Sequence, residues 1–171
     1  VGRYCGLADE QIQSGFETFE GIKRRMEVRG EADGVTIVDD FAHHPTAIRE
    51  TLKAAKVRFP ERRLWAVFEP RSNTTRRSIF QDELVGAFID ADRVILSEVV
   101  RLEQIPKSER LDPEKLMNEL QRSGKKCSCL PGAGTIIDYI ESHAESGDVV
   151  CVMSNGGFDN LHERLLERLK A

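Results

Sequence analysis

Five short apolar runs restrict what this chain can become: residues 35–38, 64–68, 94–96, 127–130 and 149–153. They are rich in Val and Ile and apolar at consecutive positions rather than alternate ones. That pattern predicts strands of a parallel sheet covered on both faces. Between them the apolar spacing becomes helical. Ile48, Leu52, Ala55 and Phe59 form one stripe, and Phe80, Leu84 and Phe88 a second. Leu116 and Leu120 mark a third behind Asp112-Pro113, a capping residue followed by proline at the first helical position. Ile136, Ile137 and Ile140 give a fourth, and Phe158, Leu161, Leu165 and Leu169 a fifth. Strand alternating with helix predicts an α/β fold, a three-layer αβα Rossmann-like open sheet. Residues 26–30, with the turn Ala32-Asp33-Gly34, are expected to add one antiparallel edge strand.

A chain of 171 residues carries one well-cored domain. Ile12, Phe16 and Phe19 predict a short amphipathic helix in a segment that stands apart, so residues 1–20 are read as the tail of a preceding domain and 21–171 as the domain proper. Val1-Gly2-Arg3-Tyr4 resembles neither a signal peptide nor a natural start, and a cut from a longer protein is expected. A net charge of −4 argues against a general nucleic-acid or anionic-membrane binder. No apolar run reaches the roughly eighteen residues of a membrane span. The cysteines, Cys5, Cys127, Cys129 and Cys151, are read as reduced core thiols rather than zinc ligands or a disulfide framework.

The polar residues sort by strand end. Loops entering the strands, such as Phe59-Pro60-Glu61-Arg62-Arg63 and Ser123-Gly124-Lys125-Lys126, are ordinary solvated turns. Loops leaving them are 39–45 (Asp39-Asp40-Phe41-Ala42-His43-His44-Pro45), 69–74 (Glu69-Pro70-Arg71-Ser72-Asn73-Thr74), 97–101 (Ser97-Glu98-Val99-Val100-Arg101) and 154–158 (Ser154-Asn155-Gly156-Gly157-Phe158). In an open parallel sheet, ligands bind beyond the carboxyl ends of the strands. Asp40 with His43 offers an acceptor and a planar ring, which suit a ribose and a base edge. His43 and His44 beside two aspartates raise divalent-metal binding as an alternative, and a strand end with a helix cap as a simpler one. Arg71, Arg76 and Arg77 surround a Ser-Asn-Thr-Thr turn expected to start a helix, where amides and guanidinium groups suit phosphate or carboxylate. Arg24 and Arg25, ahead of the edge strand, are equally compatible with solvated charge. The chain holds no G-x-x-x-x-G-K-[ST], so it cannot cradle a triphosphate in the P-loop manner by itself.

Gly21-Ile22-Lys23-Arg24-Arg25-Met26-Glu27, followed by a strand and then Asp39-Asp40-Phe41-Ala42-His43-His44-Pro45-Thr46, resembles the opening of the C-terminal domain of the Mur ligase family. Loops 69–74 and 153–158 are similar to the branch joining UDP-N-acetylmuramate to L-alanyl-γ-D-glutamyl-meso-diaminopimelate in peptidoglycan recycling. The resemblance implies a cytoplasmic bacterial ligase that uses ATP and Mg2+, with the P-loop and magnesium in a central domain and the UDP-sugar in an N-terminal one. ATP would phosphorylate the muramyl carboxylate, and the tripeptide amine would attack the acyl phosphate. The fragment alone would be inactive. Arg25, Asp40 and His43 would contact ATP. Arg71, Ser72, Asn73, Thr74, Glu98, Arg101, Ser154, Asn155, Gly156 and Gly157 would meet the tripeptide, and no metal ligand is expected here. The related ligase that adds diaminopimelate carries a D-N-P-R loop where this chain has Ser97-Glu98-Val99-Val100-Arg101. Two alternatives stand: an L-alanine ligase of the same family, and a stand-alone nucleotide-binding or metal-dependent hydrolase domain.

Overall fold

The computed structural model describes residues 1–19 and 21–170. Its strands are β1 (Glu27–Ala32), β2 (Val35–Asp40), β3 (Leu64–Phe68), β4 (Arg93–Ser97), β5 (Lys126–Leu130) and β6 (Val149–Met153). Its helices are α1 (Asp9–Glu17), α2 (Pro45–Arg58), α3 (Gln81–Ala87), α4 (Pro113–Arg122), α5 (Ala133–His143) and α6 (Leu161–Lys170). One six-stranded sheet runs in the order β1-β2-β6-β3-β4-β5. Only β1 pairs antiparallel, and it lies at the edge as expected.

The unbroken apolar runs are explained by what covers them. Side chains alternate faces along a strand, and here both faces meet helices. Leu64, Ala66 and Phe68 of β3 pack with Ile48, Leu52, Leu84, Phe88, Leu116 and Leu120 from α2, α4 and the α3 region. Trp65 and Val67 face the other way, against Ile136, Ile140, Leu161 and Leu165 of α5 and α6. The chain steps outward through β2, β3, β4 and β5 with α2, α3 and α4 on one face. Helix α5 then carries it back across the opposite face and inserts β6 between β2 and β3. Five parallel strands, β2, β6, β3, β4 and β5, therefore end side by side on one rim.

The cap readings have their physical cause in the side chains. Asp112 accepts from the Lys115 amide at 2.9 Å ahead of Pro113, and the His44 ring accepts from the Thr46 amide ahead of Pro45. At the sheet's other end, buried Asp148 accepts from the Arg63 guanidinium (2.7 and 2.8 Å), the Trp65 indole (2.9 Å) and the Glu145 amide (3.0 Å). Burial pushes that carboxyl up, but these donors outweigh it and hold it below its ordinary value.

Two local expectations need correction. The turn at 71–77 does not start a helix. Thr75 is buried and folded back on Ser72, Arg77 forms an isolated bridge with Arg110, and α3 begins only at Gln81. Nor is every thiol in the core. Cys151 is buried and Cys127 and Cys129 half-buried, but Cys5 is exposed. Helix α1 buries none of its residues, and Phe16 and Phe19 stand exposed. No helix among the described residues is long and apolar enough to cross a membrane.

Candidate functional site

The strand ends converge. The Ser154 amide donates to the Asp40 carbonyl at 3.2 Å and the Glu69 amide to the Met153 carbonyl at 3.1 Å, so loops 39–45, 154–158 and 69–74 leave the sheet as neighbours. One strand further, the Glu98 amide donates to the Leu130 carbonyl at 2.9 Å. The side chains bind these loops together. Arg71 lies so close to Gly156 that a Cβ there would sit 2.6 Å from its Cδ and Nε. Any residue but glycine would displace the guanidinium. Glu69 Oε1 lies 3.6 Å from Arg71 Nη1, and Glu69 Oε2 accepts from the Ser154 hydroxyl. Arg76 donates to Asn73 Oδ1 at 2.6 Å and reaches the Arg101 carbonyl at 3.5 Å, joining the loops after β3 and β4.

The expected residues are not equally open. Arg25, Arg71, Asn73, Thr74, Glu98 and Arg101 are exposed. Ser72 uses its hydroxyl within its own turn, to Thr74 and Thr75 at 3.0 and 2.8 Å. Ser154 is buried and holds the Gly156 amide at 2.9 Å. Asn155 Oδ1 is buried without a hydrogen-bond partner among the described residues, a feature that needs a reason in a native protein.

Asp40 differs most from its expected part. It is 3% exposed, and its carboxylate accepts from the Met26 amide (2.8 Å), the Ala42 amide (2.8 Å) and the Thr51 hydroxyl (3.2 Å). It ties the entry segment to the 39–45 loop. His43 is half-buried, with Nδ1 on the Phe41 carbonyl at 3.0 Å and its ring edge-on to Phe41. His44 turns away to cap α2 and meets Phe80 edge-on. The two histidines thus face different partners, and no cluster of three or more metal-type side chains occurs among the described residues. The guanidinium carbons of Arg24 and Arg25 lie 5.1 and 5.3 Å from the Phe41 ring centroid, a cation–π arrangement.

Sequence reading noted Arg24 and Asp39 without assigning them to the site and missed His162 altogether. Asp39 and His162 are both buried, and His162 Nε2 lies 3.2 Å from Asp39 Oδ1, near enough for attraction but off the line of a well-formed hydrogen bond. Arg24 Nε lies 3.4 Å from Asp39 Oδ2. The only signal for His162 was its place beside Leu161 in the apolar stripe of α6, where a polar ring is out of place.

Comparisons with known proteins agree with one another. A family model described as the Mur ligase, glutamate ligase domain matches residues 24–156. The UDP-N-acetylmuramate--L-alanyl-gamma-D-glutamyl-meso-2,6-diaminoheptandioate ligase of Escherichia coli K12 is 38% identical over 170 residues, 99% of this chain and 35% of its own length. A UDP-N-acetylmuramate--L-alanine ligase of Geobacter sp. strain M21 is 37% identical over 163 residues, 95% of this chain and 35% of its own length. A murein peptide ligase structure from Psychrobacter arcticus 273-4 superposes with a TM-score of 0.75 at 38% identity, covering 92% of this chain and 32% of that one. The chain therefore spans about a third of the length of the curated relatives it matches.

Proposed function

The chain belongs to the Mur ligase family, and from that premise we propose that it is the C-terminal domain of an ATP-dependent ligase joining UDP-N-acetylmuramate to a short peptide bearing diaminopimelate. The observation that carries the reading is the single rim on which Arg71 lies across Gly156 while exposed Glu98 leaves the next strand end but one. A guanidinium and a carboxylate on one edge match the two charges of an amino-acid centre, which the far end of diaminopimelate presents. Arg25, exposed above Phe41, suits an ATP phosphate. His43 offers a ring at the mouth of the same loop.

In this reading Asp40 serves ATP indirectly, by fixing the loop that presents His43. In this reading magnesium would be held by a central domain of the longer enzyme, while the basic groups here suit phosphate and carboxylate. ATP supplies the phosphoryl group that activates the muramyl carboxylate. This domain's own contribution is to orient the amine and exclude water from a hydrolysable acyl phosphate.

Relatives named as L-alanine ligases match this chain as well as the tripeptide ligase does, so the amine acceptor is the point to test. The full-length enzyme carrying this domain is offered UDP-N-acetylmuramate, ATP and an equimolar mixture of L-alanine and L-Ala-γ-D-Glu-meso-diaminopimelate, with products resolved by mass. Tripeptide product is expected to dominate, whereas predominant alanine product transfers the assignment to the L-alanine ligase. Gly156→Ala, whose new methyl displaces Arg71, should raise the tripeptide KM about tenfold and leave the ATP KM within about twofold. Equal effects on both would remove Arg71 from the peptide site.

A further inference from the structure

Three ionisable side chains have no part in the reading above, yet they lie together where β2 and β6 reach the rim: Arg24, Asp39 and His162. Asp39 and His162 are 4% and 5% exposed, and ionisable groups are costly to bury unless each compensates another. Here they do. His162 approaches one oxygen of Asp39 and Arg24 the other. Burial alone would push the Asp39 carboxyl up, but His162 and Arg24 outweigh it and keep the group below its ordinary range.

Fixed by that anion, Arg24 reaches three segments. Its amide donates to Glu27 Oε2 at 2.7 Å, and its carbonyl accepts from the Phe41 amide at 2.8 Å. Its Nη2 donates to two carbonyls of the glycine turn, Ser154 O at 2.6 Å and Gly156 O at 2.8 Å. In a trans peptide the C=O and N–H point in opposite directions, and every peptide bond described is trans. Two carbonyls drawn inward to one guanidinium therefore turn the amides of Asn155 and Gly157 away from it. Neither amide donates to an acceptor among the described residues. Without the guanidinium the Gly156–Gly157 plane could flip, because glycine imposes little conformational preference, and the Ser154–Asn155 plane would lose the donor that its carbonyl faces.

We propose that Arg24, locked by Asp39 and His162, is a positioning residue that holds the Asn155 and Gly157 amides toward a carboxylate of the incoming amine substrate. The inference rests on the ligase reading and gives the neighbouring Arg71 two backbone partners for the same anion.

The test uses the full-length enzyme. Arg24→Gln is expected to raise the tripeptide KM about tenfold with kcat nearly unchanged and the ATP KM within about twofold, the pattern of lost uniform binding. Arg24→Lys should restore part of the loss, since an ammonium keeps the charge but not the fork. His162→Leu, which removes one support of Asp39 and leaves Arg24 in place, should raise the tripeptide KM about threefold. Wild-type enzyme that forms no tripeptide product refutes the ligase reading, whatever the variants do. Active wild type, with Arg24→Gln folded and its tripeptide KM unmoved or its two KM values raised alike, overturns the positioning role. If thermal melting shows that Arg24→Gln does not fold, His162→Leu decides, and an unchanged tripeptide KM there overturns the proposal.

Discussion

Asp40→Asn separates two parts that a carboxylate at a strand end can play. The side chain is 3% exposed, with one oxygen on the Met26 amide and the other shared between the Ala42 amide and the Thr51 hydroxyl. Asparagine can keep its oxygen on the second pair. Its NH2 then faces the Met26 N–H, so a charge-assisted bond is lost and a donor is left unpaired. A hydrogen bond to a charged group contributes about 1.5–3 kcal/mol, and an orphaned buried donor costs about 1–3 kcal/mol. Because the two overlap, about 3 kcal/mol is the expected destabilisation. For a domain of this size, 1 kcal/mol corresponds to about 2–4 °C in Tm, which gives a drop of about 6–12 °C by circular dichroism. The ATP KM of the full-length enzyme should rise as the 39–45 loop loosens. The reasoning is refuted if the variant melts within about 2 °C of wild type while ATP use collapses. That result would make the carboxylate a ligand-facing group rather than a strut.

Two further predictions concern the frame around the site. Asp148 is held below its ordinary value near 3.8, so it adds stability that is present above about pH 4 and lost as pH falls through its folded value. Asp148→Asn should cost about 2 kcal/mol at pH 7 and less at pH 3, and an equal drop in Tm at both would refute the linkage. Asp159 sits in the left-handed region at φ 51° and ψ 40°, where a Cβ is unfavourable. Asp159→Ala and Asp159→Gly both remove the ion pair with Arg164, so their difference isolates the backbone. The glycine variant should melt above the alanine variant by about 1 kcal/mol, and equal melting points would count against strain there.

How legible each part was follows from the distance over which its determinants act. The β3 and β6 strands were readable to the residue because both faces are covered and every letter is apolar. Strand β2 runs two residues beyond its apolar run, since Asp39 and Asp40 remain in the ladder as buried, compensated acids. The placement of β6 between β2 and β3 was not readable, because strand order is set by crossovers that leave no local pattern. The rim itself was legible from polar residues gathering in the loops that leave strands. Its wiring was not. Asp39 and His162 lie 123 residues apart, and neither spacing nor charge announces their contact. The failed helix start at 71–77 has a similar cause: Thr75 is buried and Arg77 pairs with distant Arg110, and these tertiary contacts override the local turn signal.

The backbone adds an argument that side chains alone do not. Among the described residues, eight other than glycine adopt positive φ: Arg24, Met26, Asp33, Glu61, Arg101, Phe158, Asp159 and Asn160. Asp33 and Glu61 lie in turns that lead into strands, at the end of the sheet away from the rim. The other six lie in segments at the carboxyl rim or next to it, three of them consecutive. Arg24 and Met26 are held by Glu27, Phe41 and Asp40, while Phe158 is anchored in the core below α6. Left-handed geometry in such residues persists only where surrounding contacts over-determine it. A loop already fixed in this way loses less entropy when a ligand arrives than one that must be ordered on binding. The rim is thus built to meet its ligand as a rigid edge, and any closure onto a nucleotide would move the sheet and its loops together rather than remodel the turns.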